Sequence, residues 1–226
     1  MDQIVYIVLN VACFVPAIVF HEVAHGFAAY RLGDPTAKRA GRLSLNPVKH
    51  IDPFGTVLMP AMLMLANMPV FGYAKPVPYN PMYFKDKRKG DLIVGLAGPF
   101  ANLVMACLGA VAAFALWTTM ADEILAAYVS DGALYYLFMF LQMLTLLNLY
   151  FMFFNLLPIP PLDGSSIIAF FLPMRLLPKW YRIQRYALPV FMIAVILVPY
   201  VLHVNPVGIY LDVTAGNLYN LMYSFL

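Results

Sequence analysis

Glutamate occurs only twice in the 226 residues, at Glu22 and Glu123, and cysteine only twice, at Cys13 and Cys107. Charged residues of every kind amount to 11% of the chain against 63% hydrophobic residues. Soluble domains carry about 25% charged residues, so a soluble globular chain is excluded. A core of this size could not hide that much apolar surface. Both cysteines fall in apolar runs and neither belongs to a CxxC pair, which argues against a disulfide framework and against a thiolate metal site. They read as small buried hydrophobes. No internal repeat, low-complexity tract or basic stripe is present, so no nucleic-acid partner is expected. What remains is an all-α polytopic membrane protein embedded in a lipid bilayer. About four to six transmembrane helices are expected.

Taken in order, residues 1–32 read as one helix, apolar until His21 and ended by Arg31, Gly33, Asp34 and Pro35. Its apolar part lacks a basic leader and runs straight into polar residues that continue the same helix, so cleavage as a signal peptide is not expected. Residues 36–90 are mixed. A polar, basic stretch contains Arg42-Leu43-Ser44-Leu45, which alternates like a short strand. Gly55 to Val70 is apolar but bracketed by prolines and short for a span, which suits a re-entrant segment. A Pro-rich basic loop follows. Residues 91–120 form a span opening with Gly95-Leu96-Ala97-Gly98-Pro99-Phe100-Ala101-Asn102, where small residues allow close helix packing. Residues 121–131 read as a short acidic loop. A further span within 133–172 breaks at Pro158–Gly164, because a helix cannot continue through that run of prolines. A basic loop covers 173–186, a last span starts at Ala187, and the tail from His203 is interfacial or a short helix. All of this is one domain, 1–226.

The 14 lysines and arginines fall into three clusters, at 31–49, 75–89 and 175–185. By the positive-inside rule those loops are cytosolic and the protein is a multi-pass protein of the cell inner (plasma) membrane. The first helix then runs outside to inside. His21 lies roughly 25 Å along it from Ile4, toward the cytosolic side of a hydrocarbon core about 30 Å thick.

That position matters because residues 21–25 read His-Glu-Val-Ala-His. On a helix, histidines four apart share a face and can reach one Zn²⁺, while the intervening Glu22 is offset to act on a water. Three ionisable residues in a span cost several kcal/mol without compensation, and packing alone would not require them. A catalytic zinc takes three protein ligands and keeps one position open. Ala28 and Arg31 stand where an HExxHxxGxxH pattern needs Gly and His, and Glu123 lies in the opposite-side loop. The candidates for third ligand are Asp163, His50, Asp52 and Asp34. Asp163 is favoured by its place at membrane depth in a Pro-broken turn, where irregular backbone must be buried or line a cavity. His50 and Asp52 read better as parts of a solvated turn.

HEVAH at 21–25, GRLSLNPVKHIDPFGT at 41–56, GLAGPFAN at 95–102 and NLLPIPPLDG at 155–164 occur in this order. In these motifs the chain resembles compact bacterial members of the site-2 protease family of intramembrane zinc metalloproteases. The resemblance implies one Zn²⁺ held by His21, His25 and Asp163, with Glu22 as general base and Asn155 handling substrate. It also implies a membrane-associated β-loop around Arg42, Leu43, Ser44 and Leu45 that pairs with an unwound transmembrane protein substrate, and Asn102 is placed with these substrate contacts. No PDZ or CBS domain is visible, so control is expected from a separate regulatory partner or a prior protease. The competing readings are a membrane metal transporter, a catalytically inactive scaffold, and a peptidase for soluble substrates. A transporter would have little need for a Glu between the histidines, and a scaffold would lack a ligand or the base.

Overall fold

The computed structural model describes residues 3–58, 62 and 75–226. Among them every regular element is helical and none is a strand. The first helix, α1, runs Gln3–Arg31. Its outward face is Ile4, Ile7, Val8, Val11 and Phe14, all exposed, which is the reverse of a soluble helix and the arrangement lipid requires. Its inward face, Cys13, Ala17 and His21, repeats every four residues and is buried. A short α2, Thr36–Arg39, and turns at Pro47–His50, Pro53–Leu58 and Pro81–Tyr83 lead to α3, Lys87–Val129. The Asp86 side chain caps α3 by accepting from the Arg88 and Lys89 N–H groups.

At 1.5 Å per residue α3 would be roughly 65 Å long, about twice the hydrocarbon thickness. It is divided at Met120, whose φ of −141° and ψ of 34° leave the helical region. The acidic loop expected at 121–131 is therefore corrected: helix continues through Val129. Its polar residues misled, because Ile124 on the other face packs with Ala110, Ala113 and Phe138.

The next helix, α4, spans Ala133–Asn155 and stops at the proline run. Inside the bundle, α3 presents Gly95, Gly98, Asn102, Ala106, Gly109 and Ala113, a buried stripe of small residues broken by one amide. Close approach requires it: a Cβ on Gly109 would lie 2.6 Å from Thr145 Oγ1 on α4. In a membrane, where lipid is as apolar as Leu, such close packing is what holds helices together.

Beyond the Asp163 turn come α5, Ser165–Phe171, and α6, Leu177–Leu202. Arg88 at the start of α3 donates to the Phe170 and Leu172 carbonyls and fixes the end of α5. The basic loop expected over 173–186 is also corrected, since helix begins at Leu177; the segments Leu177–Gln184 and Tyr186–Pro199 meet at a 60° bend. The tail forms α7, Pro206–Leu211, a π-helical turn Asp212–Gly216, and α8, Asn217–Met222, without a gap. It lies antiparallel to α4. Tyr210 Oη donates to the Phe153 carbonyl near the end of α4, and Tyr223 Oη meets Thr145 and the Leu141 carbonyl about two to three turns earlier. The tail is thus a helical segment packed along α4, burying Ala215 and Tyr223 and leaving Ile209, Val213 and Leu221 exposed.

Among the described residues three helices, α1, α3 and α4, are long and apolar enough to cross a membrane, and the bent α6 pair would make a fourth if it is one span. The stretch 42–45 bends at Leu43 and forms no strand among the described residues. Most of the proposed re-entrant segment, 55–70, lies outside the described residues.

Candidate metal centre

Helical periodicity on α1 puts the His21 and His25 rings on one face, centroids 4.6 Å apart. Their Nε2 atoms are 3.0 Å apart. Asp163 arrives from the turn after α4 and places Oδ2 3.1 Å from His21 Nε2 and 3.4 Å from His25 Nε2. Three donors bound at about 2.0–2.1 Å to a tetrahedral ion would stand roughly 3.3 Å from one another, so the spacing is that of a ligand set. Among the described residues this is the one group of three or more His, Cys, Asp or Glu side chains so arranged.

The hydrogen bonds behind the rings show which atoms are free to ligate. His25 Nδ1 lies 2.7 Å from the Val94 carbonyl, which can only accept, so Nδ1 carries the proton. His21 Nδ1 lies 2.6 Å from Asn102 Oδ1. In the neutral rings both Nε2 atoms then turn lone pairs toward each other and toward Asp163 Oδ2, which is buried and receives no hydrogen bond. Two lone pairs and a carboxylate oxygen facing one another repel unless a cation lies among them. The donor set fits zinc: two imidazoles, one carboxylate, and room for a fourth position.

Neighbouring backbone leaves little slack. Gly98 of α3 lies under both rings, and a Cβ there would stand 2.6 Å from His21 Cε1 and from His25 Cε1. Phe151 of α4 packs on His21 with centroids 4.8 Å apart. The Asp163 turn closes on itself, with Gly164 N–H donating to the Asn155 carbonyl at 2.7 Å and Ser166 N–H to the Asp163 carbonyl at 3.0 Å. A Cβ on Gly164 would lie 2.5 Å from the Leu157 carbonyl oxygen, so only glycine allows this closure.

Glu22 faces a different element. Its Oε2 accepts from the Val77 N–H at 2.9 Å. Val77 sits in an irregular strap, 75–80, pinned at both ends: Lys75 N–H donates to the His50 carbonyl, and Asn80 N–H to Asp34 Oδ2. Arg42 donates to the Lys75 carbonyl from the side. Tyr79 Oη donates to Asp91 Oδ1 at 2.7 Å; burial and that carboxylate push the tyrosine pKa up, so the hydroxyl stays protonated and keeps donating.

Of the residues singled out from sequence, the structure brings His21, His25, Asp163 and Glu22 together. Asp34 is fully buried but spends its oxygens on Thr36 and Asn80. Asp52 accepts from the Phe54 and Gly55 N–H groups. His50, expected in a solvated turn, is instead buried, with Nε2 2.8 Å from the Ser44 carbonyl. Asn102, expected among the substrate contacts, is corrected: it is wholly enclosed and bonded to His21, Ala17 and Asn148. Arg42 is buried against the strap, whereas Leu45 is exposed and Leu43 packs on Gly26. Asn155 Nδ2 donates to the Phe151 carbonyl one turn back in α4. Sequence reasoning missed Val77, Val94 and Asn148. The first two act through main-chain atoms, which carry no residue signature. Asn148 was visible as a lone amide in the middle of an apolar span.

Peptidase family M50 matches this chain over residues 10–198. The chain is 38% identical over 218 residues to a Bacillus subtilis protein named "Putative zinc metalloprotease YwhC", covering 93% of this chain and 89% of that one. It is 32% identical over 161 residues to "Putative zinc metalloprotease Rip2" of Mycolicibacterium smegmatis, covering 71% of this chain and 56% of that protein. The protein of the same name from Mycobacterium tuberculosis is 30% identical over 161 residues, with the same coverage. No solved structure matches. Two imidazoles on one apolar helix converging with the Asp163 carboxylate, and the family match, agree: the chain belongs to peptidase family M50, the site-2 protease family, and is an intramembrane zinc metalloprotease.

Proposed function

We propose that the protein hydrolyses peptide bonds in or next to transmembrane segments of other membrane proteins, with its active site toward the cytosolic side of the plasma membrane. The observation that carries this reading is the meeting of His21 Nε2, His25 Nε2 and Asp163 Oδ2 beside Glu22, inside a span. Charge supports this orientation: Arg31 ends α1 one to two turns beyond His25, Lys87, Arg88 and Lys89 open α3, and Lys179 and Arg182 open α6.

In this reading His21, His25 and Asp163 hold the metal. Bound zinc supplies Lewis acidity, making a water more acidic and polarising the scissile carbonyl. Glu22 accepts the water proton as the water oxygen bonds to the carbonyl carbon, then delivers it to the amine nitrogen as the C–N bond breaks. The Val77 N–H holds Glu22 Oε2, so Oε1 is the oxygen left to carry that proton. Helical substrate hides its carbonyls in i→i−4 bonds, so a stretch must be held extended. Ser44 and Leu45, beside the zinc helix and at least partly exposed, suit that task by backbone addition. Asn155, whose amide nitrogen is engaged with its own helix, has Oδ1 for a substrate N–H. An apolar groove of about 540 Å³ runs between Ile159 and Pro160 of the Asp163 turn and Ala187, Phe191, Ala194 and Val198 of α6, a surface suited to an incoming helix. Timing and substrate choice fall to a separate regulatory partner or a prior protease.

The test is expression of wild type and Glu22→Gln beside candidate single-span proteins, with membrane-proximal fragments compared by mass spectrometry. Wild type should yield fragments that the variant forms at least about 100-fold more slowly. Identical fragment sets would remove the protease assignment for this site.

A further inference from the structure

Asn102 and Asn148 are both at 0% exposure in the centre of the bundle. A buried primary amide is costly unless its donors and acceptor are used, and more so where no water competes. Here the pairings are directional. Asn148 Nδ2 donates to the Leu144 carbonyl at 2.8 Å. Asn148 Oδ1 accepts from Asn102 Nδ2 at 2.9 Å, and Asn102 Nδ2 also donates to the Ala17 carbonyl at 3.1 Å. Asn102 Oδ1 is thereby left for His21 Nδ1.

No member of the chain can be reversed alone. Turning Asn102 over would set its oxygen against the Ala17 carbonyl and Asn148 Oδ1, two acceptor–acceptor contacts. Turning Asn148 over would set its oxygen against the Leu144 carbonyl and its NH₂ against that of Asn102. The polarity thus begins at a main-chain carbonyl of α4 and passes through two side chains to the imidazole, whose Nδ1 must carry the proton.

We propose that Asn148, acting through Asn102, is a positioning residue for the zinc site: it fixes the His21 tautomer so that Nε2 presents a lone pair to the metal. Asn148 touches neither metal nor substrate. A hydrogen-bonded backing of this kind orients the ring and raises its basicity as a ligand, and its loss typically weakens metal binding by about 10–100-fold. The inference rests on the metal reading of His21, His25 and Asp163.

The experiment uses full-length protein in detergent, as wild type, Asn148→Leu and Asn148→Asp, with zinc affinity measured by chelator competition and the fold checked by thermal melting. Leu fills similar volume without polar atoms. A neutral aspartic acid offers one donor toward Leu144 and one acceptor toward Asn102, so it rebuilds the relay. Asn148→Leu should bind zinc about 10–100-fold more weakly and Asn148→Asp within about threefold of wild type. Unchanged affinity in Asn148→Leu, or equal loss in both variants, would overturn the proposal. Should Asn148→Leu fail to fold, ¹⁵N NMR of histidine-labelled, metal-free wild type reads the tautomer directly. His21 protonated at Nδ1 supports the relay and protonation at Nε2 refutes it. Absence of zinc binding in wild type would count against the metal reading, while the tautomer measurement still decides the relay.

Discussion

His21 and His25 stand four residues apart on one helix, yet they are backed by different kinds of acceptor. Behind His25 is the Val94 carbonyl, a main-chain group that no side-chain substitution removes. Behind His21 is Asn102, itself oriented by Asn148. One ligand is oriented by the course of a helix and the other by the identity of two residues. The comparison teaches where the site is vulnerable: damage from mutation should concentrate on the His21 side, although both rings are equally close to Asp163 to within a few tenths of an ångström.

The harshest way to erase that difference is Gly98→Val, which drives bulk into both rings whatever stands behind them. Zinc binding and proteolysis should both be lost, read as metal content of the purified protein and fragment yield. A sharper probe compares Asn102→Leu with Val94→Ala. The first deletes the acceptor for His21 and should weaken zinc by about 10–100-fold. The second keeps its carbonyl and should stay within about threefold of wild type by chelator competition. Equal losses would mean that the two backings do not differ. Smaller again is Val77→Pro, which removes the N–H that holds Glu22 and touches neither histidine. Turnover should fall roughly tenfold, the scale of one lost hydrogen bond to a charged group, with zinc content unchanged.

These probes also mark what could be read from the chain alone. The zinc helix, Asp163 and the stop at Pro158 were legible because each is a conflict in the sequence: ionisable groups or prolines where lipid demands regular apolar helix. Helix ends were harder. Asp122 and Glu123 suggested a loop, but one apolar face with Ile124 suffices to continue the helix past Met120. Basic residues after Pro178 suggested another loop, yet the helix runs through them, with Lys179 and Arg182 exposed on α6. Asn102 was picked out for its position in a small-residue motif, and its true contact, His21, lies 81 positions away on another helix. The strap that meets Glu22 was not legible, because Val77 contributes an N–H that every residue but proline possesses.

His21, His25 and Asp163 should hold one zinc while Glu22 stays free for proton transfer. Metal analysis of purified wild type, Glu22→Gln and Asp163→Ala tests it most directly. One zinc per chain is expected in the first two and well under one in Asp163→Ala. Full zinc in Asp163→Ala, or its loss in Glu22→Gln, would contradict it.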